Sequence, residues 1–200
     1  MTKPLVVSID VSSVPARPAG AGRYVVDLVA ALAERDDLDL ALIARRDDGA
    51  RWTSLARRAE VRAIAPVSRP LRLAWEQVAL PRIVDRIAPH CHHGPHYTMP
   101  ERAAPPKVVT IHDLTFFDNP EWHERAKVPV FRRAIKVAAR HADGLVCVSE
   151  ATAARLRALL SPRGEVRVIP HGLDHDRFHA RAQATDGEII EALGIASPYV

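Results

Sequence analysis

The chain has 200 residues, 48% of them hydrophobic and 5% aromatic, with 28 basic against 24 acidic residues and a formal net charge of +4. That length gives one large domain, or one domain and the start of another, and the hydrophobic content excludes a disordered tail. The small positive excess is spread along the sequence. It suits anionic small molecules or an anionic membrane surface, and no nucleic-acid partner is expected.

Residues 4–10, centred on Leu5-Val6-Val7-Ser8-Ile9, form a short apolar run and predict a buried strand. A glycine turn, Gly20-Ala21-Gly22, follows, and residues 22–34 then show helical periodicity with Tyr24, Leu28, Ala31 and Leu32 along one face. Residues 38–44 read as a second strand, 51–59 as a helix and 61–64 as a short third strand. The stretch 71–87 reads as a helix disturbed at Pro81, whose nitrogen has no hydrogen to donate. A short fourth strand at 91–93 leads into a proline-rich loop over 94–106. Strand five is 107–111, a helix spans 124–141, strand six is 145–148, a helix spans 150–160 and strand seven is 166–169. Strands alternating with helices predict an α/β fold, a Rossmann-like doubly wound parallel sheet with right-handed crossovers.

The remainder differs in character. Residues 177–185 read as a loop, 187–193 as a short helix, and Ser197-Pro198-Tyr199-Val200 as the start of another apolar run. The expected organisation is a domain over 1–180, with 181–200 as a linker and the beginning of a second. No apolar run approaches the ~20 residues of a membrane span, and no cleavable signal peptide is expected. Cys91 and Cys147 form no CxxC pair and read as free buried thiols of a cytoplasmic protein.

In a parallel α/β sheet, ligands bind outside the carboxyl ends of the strands. Three such ends carry polar residues: His112 and Asp113 after Val108-Val109-Thr110-Ile111, Ser149 and Glu150 after Val146-Cys147-Val148, and His171 after Val168-Ile169-Pro170. Gly20, Gly22 and Arg23 stand where a strand passes into a helix, whose free amides and dipole favour an anion. The dinucleotide fingerprint needs a third glycine, but Val25 stands in that place, and Arg45 and Arg46 occupy the expected acidic position. An NAD(P)-binding reading is therefore disfavoured. A histidine at the place of His112 can donate to a substrate hydroxyl or stabilise developing charge. The plainer alternative has Asp113 capping the next turn and His112 satisfied by backbone.

The cluster His90-Cys91-His92-His93-Gly94-Pro95-His96 invites a metal reading, yet alternation along a strand sends successive side chains to opposite faces. No metal is expected. Arg125, Lys127, Arg132, Arg133, Lys136 and Arg140 accompany an apolar stripe of Val128, Phe131, Ile135 and Ala138. A solvated basic face over a core-packed stripe is the ordinary reading. Contact with anionic lipid headgroups or a polyprenyl-phosphate acceptor is the sharper one.

One ordered set of motifs spans essentially the whole chain. It comprises Gly20-Ala21-Gly22-Arg23-Tyr24, Trp75-Glu76-Gln77 with Leu80-Pro81, and His93-Gly94-Pro95 with Tyr97 and Pro100. It continues through Thr110-Ile111-His112-Asp113-Leu114, Pro120-Glu121-Trp122, Val148-Ser149-Glu150-Ala151-Thr152 and Pro170-His171-Gly172-Leu173-Asp174. In these motifs the sequence resembles the N-terminal domain of a GT-B glycosyltransferase of family 4, especially its mannosyltransferase-like members.

The resemblance implies two Rossmann-like domains facing each other, the N-domain holding the acceptor and the C-domain most of the nucleotide sugar. It implies that Gly20 and Gly22 reach the donor diphosphate and that His112, the catalytic candidate, lies beside the transferred sugar. Arg23, Asp113, Ser149, Glu150 and His171 are the remaining substrate-binding candidates. Transfer would retain anomeric configuration, with no metal and no cofactor beyond the nucleotide-sugar donor, for which GDP-mannose is preferred. The acceptor would be a glycan or a polyprenyl-linked molecule. A C-terminal domain is the missing partner, so the chain alone is expected to be inactive. The expected location is cytoplasmic, with peripheral contact at the inner membrane face. A non-catalytic glycan- or glycolipid-binding module or subunit is the alternative.

Overall fold

The computed structural model describes residues 3–175, 178, 181 and 185–195. Seven strands form one sheet: β1 (Leu5–Asp10), β2 (Leu38–Arg45), β3 (Glu60–Ala65), β4 (Cys91–Gly94), β5 (Lys107–Ile111), β6 (Gly144–Cys147) and β7 (Glu165–Val168). Their order is β3-β2-β1-β4-β5-β6-β7 and every pairing is parallel. The chain winds outward from β1 to β3, then resumes on the other side of β1 at β4. Connections leave β1 and β4 in opposite directions, which opens a crevice at their carboxyl ends.

The helices are α1 (Ala21–Ala33), α2 (Gly49–Leu55), α3 (Arg69–Val78), α4 (Leu80–Ile87), α5 (Thr115–Asp118), α6 (Lys127–His141), α7 (Glu150–Leu160) and α8 (Asp186–Ala192). Helices α1 to α7 cover both faces of the sheet, which is why β2 is buried without interruption from Leu40 to its end. Leu42 and Ala44 pack with Val25, Val29 and Trp52 of α1 and α2, whereas Ile43 packs with Leu80 and Val84 of α4. A third cluster joins Val109, Ile111, Leu145 and Cys147 to Phe131, Ile135 and Leu156 of α6 and α7.

Strand β5 and helix α7 occupy the residues the sequence predicts, and the other elements differ by a few residues at their ends. The buried face of α1 is centred on Val25 and Val29 rather than on Tyr24 and Ala31, because Tyr24 turns toward the strand ends. The predicted helix over 71–87 is two helices that part at Ala79, with Pro81 in the first turn of α4, where its missing N–H goes unused. Between β5 and α6 lie α5 and a 3-10 turn, Pro120–Trp122, neither legible as periodicity. Both cysteines are free; Cys147 is buried, but Cys91, opening its strand, is only half-buried.

The chain divides into two compact units, Met1–Pro170 and His171–Val200. The second unit contains α8, close to the helix expected over 187–193. Most of the loop expected over 177–185 and the whole run from Ser197 to Val200 lie outside the described residues.

Candidate functional site

His112 leaves the end of β5 half-buried, and its Nε2 lies 2.9 Å from the carbonyl oxygen of Pro95. A carbonyl only accepts, so Nε2 carries the hydrogen. The ring sits among other rings: Tyr24 edge-on at 5.1 Å between centroids, His96 at 5.6 Å and Tyr97 at 5.6 Å. Thr110, the penultimate residue of β5, reaches Tyr24 Oη at 3.3 Å and His93 Nε2 at 2.8 Å. From α7, the Thr152 hydroxyl donates to the His112 carbonyl at 3.2 Å, while Ser149 caps the helix by accepting from the Thr152 amide at 3.1 Å. Ser149 thus shapes the helix that holds the strand end, and Glu150 lies exposed in its first turn.

Asp113 turns the other way. It accepts from the Tyr97 hydroxyl at 2.9 Å, the Thr115 amide at 2.9 Å and the Thr115 hydroxyl at 2.5 Å. Burial pushes its carboxyl up, but the Thr115 and Tyr97 bonds outweigh that and hold it below the usual carboxylate range. Tyr97 has φ 65°, a left-handed conformation costly for an aromatic residue, and it is 3% exposed. The Asp113 brace and a bond from the Tyr97 amide to the Thr110 carbonyl hold that conformation.

The glycine turn adjoins a cavity of about 300 Å³, lined by Ser13, Pro15, Ala19, Gly22 and His96 among others. Gly20 has φ +50°, a conformation suited to glycine, and a Cβ on Gly22 would stand 3.0 Å from Pro15 Cδ. Arg23 is exposed and paired with Asp27 at 2.9 Å, one turn further along α1.

A second cavity, of about 380 Å³, shares Ser13's neighbours: Pro15 and His96 border both. It opens beside the ends of β1 and β4 and carries Asp10, Arg45, Arg69, Arg72 and Glu76. Glu76 is 5% exposed and its Oε1 has no hydrogen-bond partner. Burial, reinforced by the charge of Asp10, pushes its carboxyl up to about 8. Burial also raises Asp10, against the bond it accepts from the Ser12 amide at 2.9 Å. Arg72 donates to the carbonyls of Pro66 and Val67 at 3.1 and 2.8 Å. His96 is pushed down to about 4, chiefly by burial and then by His112, so it is neutral at pH 7.

The histidines of β4 part as alternation requires. His92 bonds Ser8 Oγ at 2.8 Å and His93 bonds Thr110, while the His90 ring accepts from the Val6 amide at 2.9 Å. Among the described residues no three metal-capable side chains converge. The basic face of α6 borders a groove of about 820 Å³ that holds Arg125, Arg132, Arg133, Lys136 and Arg140. His171 opens the second unit and is exposed.

The sequence therefore points to the glycine turn, of which Ala21 and Gly22 line the smaller cavity, and to His112, which lies at the end of β5 beside His96. It does not single out Asp10, Arg72, Glu76, Tyr24 or Tyr97 as site residues. A carboxylate within the largely apolar stretch Leu71–Val78 was the available signal for Glu76, and the strand-end position was the signal for Asp10.

A parallel sheet reversing at β1/β4, with a glycine turn after β1, is a Rossmann-like doubly wound domain, and the matches that follow make it the N-terminal domain of the GT-B type. Residues 18–177 match Glycosyltransferase Family 4, and the chain belongs to that family. Comparison with curated proteins gave no match. Among solved structures, HepE from Anabaena in complex with UDP-glucose matches with a TM-score of 0.60 at 18% identity, over 95% of this chain and 50% of that one. UDP-N-acetylglucosamine 2-epimerase from Rickettsia bellii matches with a TM-score of 0.59 at 12% identity, over 98% and 52%. A glycosyltransferase from Rickettsia africae matches with a TM-score of 0.56 at 13% identity, over 98% and 51%. At such identities the likeness establishes the fold. The chain spans about half the length of these structures.

Proposed function

We propose that this domain is the acceptor-side half of a retaining glycosyltransferase that moves a hexose from a nucleotide sugar to a glycan or lipid-linked acceptor. The observation that carries the reading is His112 in a family 4 chain: it closes β5 with its ring fixed on Pro95, next to His96, which borders both cavities. The donor diphosphate is assigned to the Gly20–Gly22 turn at the start of α1, where the helix dipole favours an anion. His112 contacts the transferred sugar and stabilises charge developing there. A second domain supplies the remaining donor contacts, so the 200-residue chain alone transfers no sugar.

Mannose from GDP-mannose is the preferred donor, on the strength of the Trp75-Glu76-Gln77 and His112-Asp113-Leu114 contexts. HepE, in complex with UDP-glucose, makes that donor the natural comparison. The proposed location is cytoplasmic, with the basic face of α6 resting on the inner membrane surface. Among the described residues no helix is long and apolar enough to cross a membrane.

The test is nucleotide release by the full-length protein made from its native gene, offered GDP-mannose and UDP-glucose in turn. Release of GDP, with mannose recovered in the retained anomeric form, is the expected result. A full-length protein that binds glycan but neither binds nor consumes any nucleotide sugar would replace this reading with the non-catalytic module.

A further inference from the structure

Helix α3 turns charge inward. Arg69, Arg72, Leu73 and Glu76 recur at spacings of three and four, which puts them on one face of the helix, with Arg69 exposed, Arg72 and Leu73 half-buried and Glu76 buried. All four border the 380 Å³ cavity at the ends of β1 and β4, with Asp10 on the facing wall. Such a face is normally apolar. A carboxyl group that is 5% exposed with an unpartnered oxygen lowers the stability of the fold unless something bonds to it.

The guanidinium groups are set in advance. Arg72 is held by the carbonyls of Pro66 and Val67, and Arg69 lies over the Phe131 ring, 5.7 Å from its centroid. Arg45, on the same cavity, is pinned by the Val14 carbonyl at 2.6 Å and by Asp47 at 3.0 Å. With Arg45 paired to Asp47 and Glu76 protonated at neutral pH, Arg69 and Arg72 still outnumber the remaining carboxylate, Asp10. A neutral sugar needs no such excess, whereas an oxyanion does, and arginine matches phosphate and carboxylate geometry in paired bonds.

We propose that this cavity is the acceptor subsite, and that the acceptor carries an oxyanion, phosphate or carboxylate, held by Arg69 and Arg72 while Glu76 donates a hydrogen bond to a hydroxyl of the same molecule. The word acceptor rests on the glycosyl-transfer reading; the oxyanion does not. A carboxylic acid kept neutral by burial is a donor at pH 7, which a carboxylate cannot be. Asp10 is left to accept from a second hydroxyl. The volume suits a small-molecule group, within the ~300–1,000 Å³ usual for such sites.

The test is calorimetric titration of the full-length protein with glucose, glucose 1-phosphate, glucuronate and a short-chain prenyl phosphate in micelles. The expected result is binding of the charged probes at least about tenfold tighter than glucose. Preference for the prenyl phosphate over glucose 1-phosphate assigns the oxyanion to a lipid-linked acceptor; equal binding assigns it to a soluble one. Arg69→Gln and Arg72→Gln should each remove most of the preference, with folding checked by circular dichroism. Glu76→Gln should remove the decline in affinity that the unmodified protein shows between pH 7 and pH 9.

Equal binding of glucose and glucose 1-phosphate by the unmodified protein overturns the proposal, as does an unchanged preference in both folded arginine variants. Oxyanion binding without any use of a nucleotide sugar keeps the anion site and removes the transfer reading. Nucleotide-sugar turnover without oxyanion preference does the reverse.

Discussion

His112 donates from Nε2 to the Pro95 carbonyl at 2.9 Å, so the chain leaving β4 fixes the ring that closes β5. The bond sets both the tautomer and the plane of the imidazole, and Tyr24 and Tyr97 pack edge-on against it. A group held this way pays no reorganisation when charge develops beside it. On the proposed transfer reading, His112→Ala should lower kcat about 100- to 1,000-fold, the range typical of losing one positioned stabilising group. KM for the nucleotide sugar should change much less, because the loss falls on the transition state. An unaltered kcat removes His112 from the chemistry.

Tyr97 and Asp113 form a brace with a different role. Tyr97→Phe takes one of the three bonds from Asp113 and should cost about 1 kcal/mol of stability. Asp113→Ala leaves the Tyr97 hydroxyl and the Thr115 amide without their acceptor, and should cost more, roughly 1–3 kcal/mol. The folded carboxyl titrates below its unfolded value, so its contribution is complete above that value and is lost as pH falls through the folded one. Asp113→Asn should therefore weaken the protein at pH 7 and narrow its difference from the parent near pH 3. Urea unfolding at the two pH values measures both effects.

The sheet was legible because its strands are short apolar runs bounded by turn residues, and β5 needed nothing else. Helix α1 was legible as a helix but not in its facing, since Tyr24 fits an apolar stripe yet is drawn to Thr110 by its hydroxyl. The α5 segment has no periodicity to read; the bonds from Asp113 and the packing of Phe116 on Phe131 hold it. At the site, strand-end logic reaches His112 and Gly20. It does not reach Arg72 and Glu76, because charged residues on a helix read as solvent-facing until the helix is docked. Gln77 is a case in point: it ties α3 to the loop over 94–106 through Met99 and Glu101, a purely tertiary role.

Glu76 and the buried histidines should give the stability a peaked pH profile. The folded chain holds a proton on Glu76 up to about 8, whereas an unfolded glutamate releases it near 4.3. Between those values the fold binds the extra proton, so stability falls as pH rises. His92, His93 and His96 act in the opposite sense: burial depresses them to about 3, 4 and 4, so the unfolded chain takes protons first as pH drops below about 6.5. The three histidines steepen the acid limb, while Glu76, with Asp10 raised in the same sense, favours the fold less as pH rises, which puts the maximum at about pH 6.5. Glu76→Gln should flatten the alkaline limb, recovering on the order of a few kcal/mol at pH 9 relative to pH 5. Chemical denaturation across this range gives the answer, and an alkaline limb identical in both proteins means that Glu76 is ionised in the fold.

Gly94 is the residue on which the two halves of the crevice depend. A Cβ there would stand 2.0 Å from the Thr98 carbonyl oxygen, far inside contact distance and against backbone rather than a movable side chain. Thr98 cannot withdraw freely, since its amide bonds the His96 carbonyl at 2.8 Å and the Tyr97 amide bonds Thr110 on β5 at 3.0 Å. Gly94→Ala must therefore push the turn over 95–98 off the sheet, carrying the Pro95 carbonyl from His112 and moving His96 and Thr98 in the wall beside Glu76. The expected cost is on the order of 2–4 kcal/mol, with loss of the His112 bond and of ligand binding together. Gly22→Ala is the contrast, because its Cβ meets only the Pro15 ring, at 3.0 Å, which can shift. Thermal unfolding of the two variants should separate them by several degrees, and a Gly94→Ala protein as stable as the parent would show that this turn is not held by the close approach.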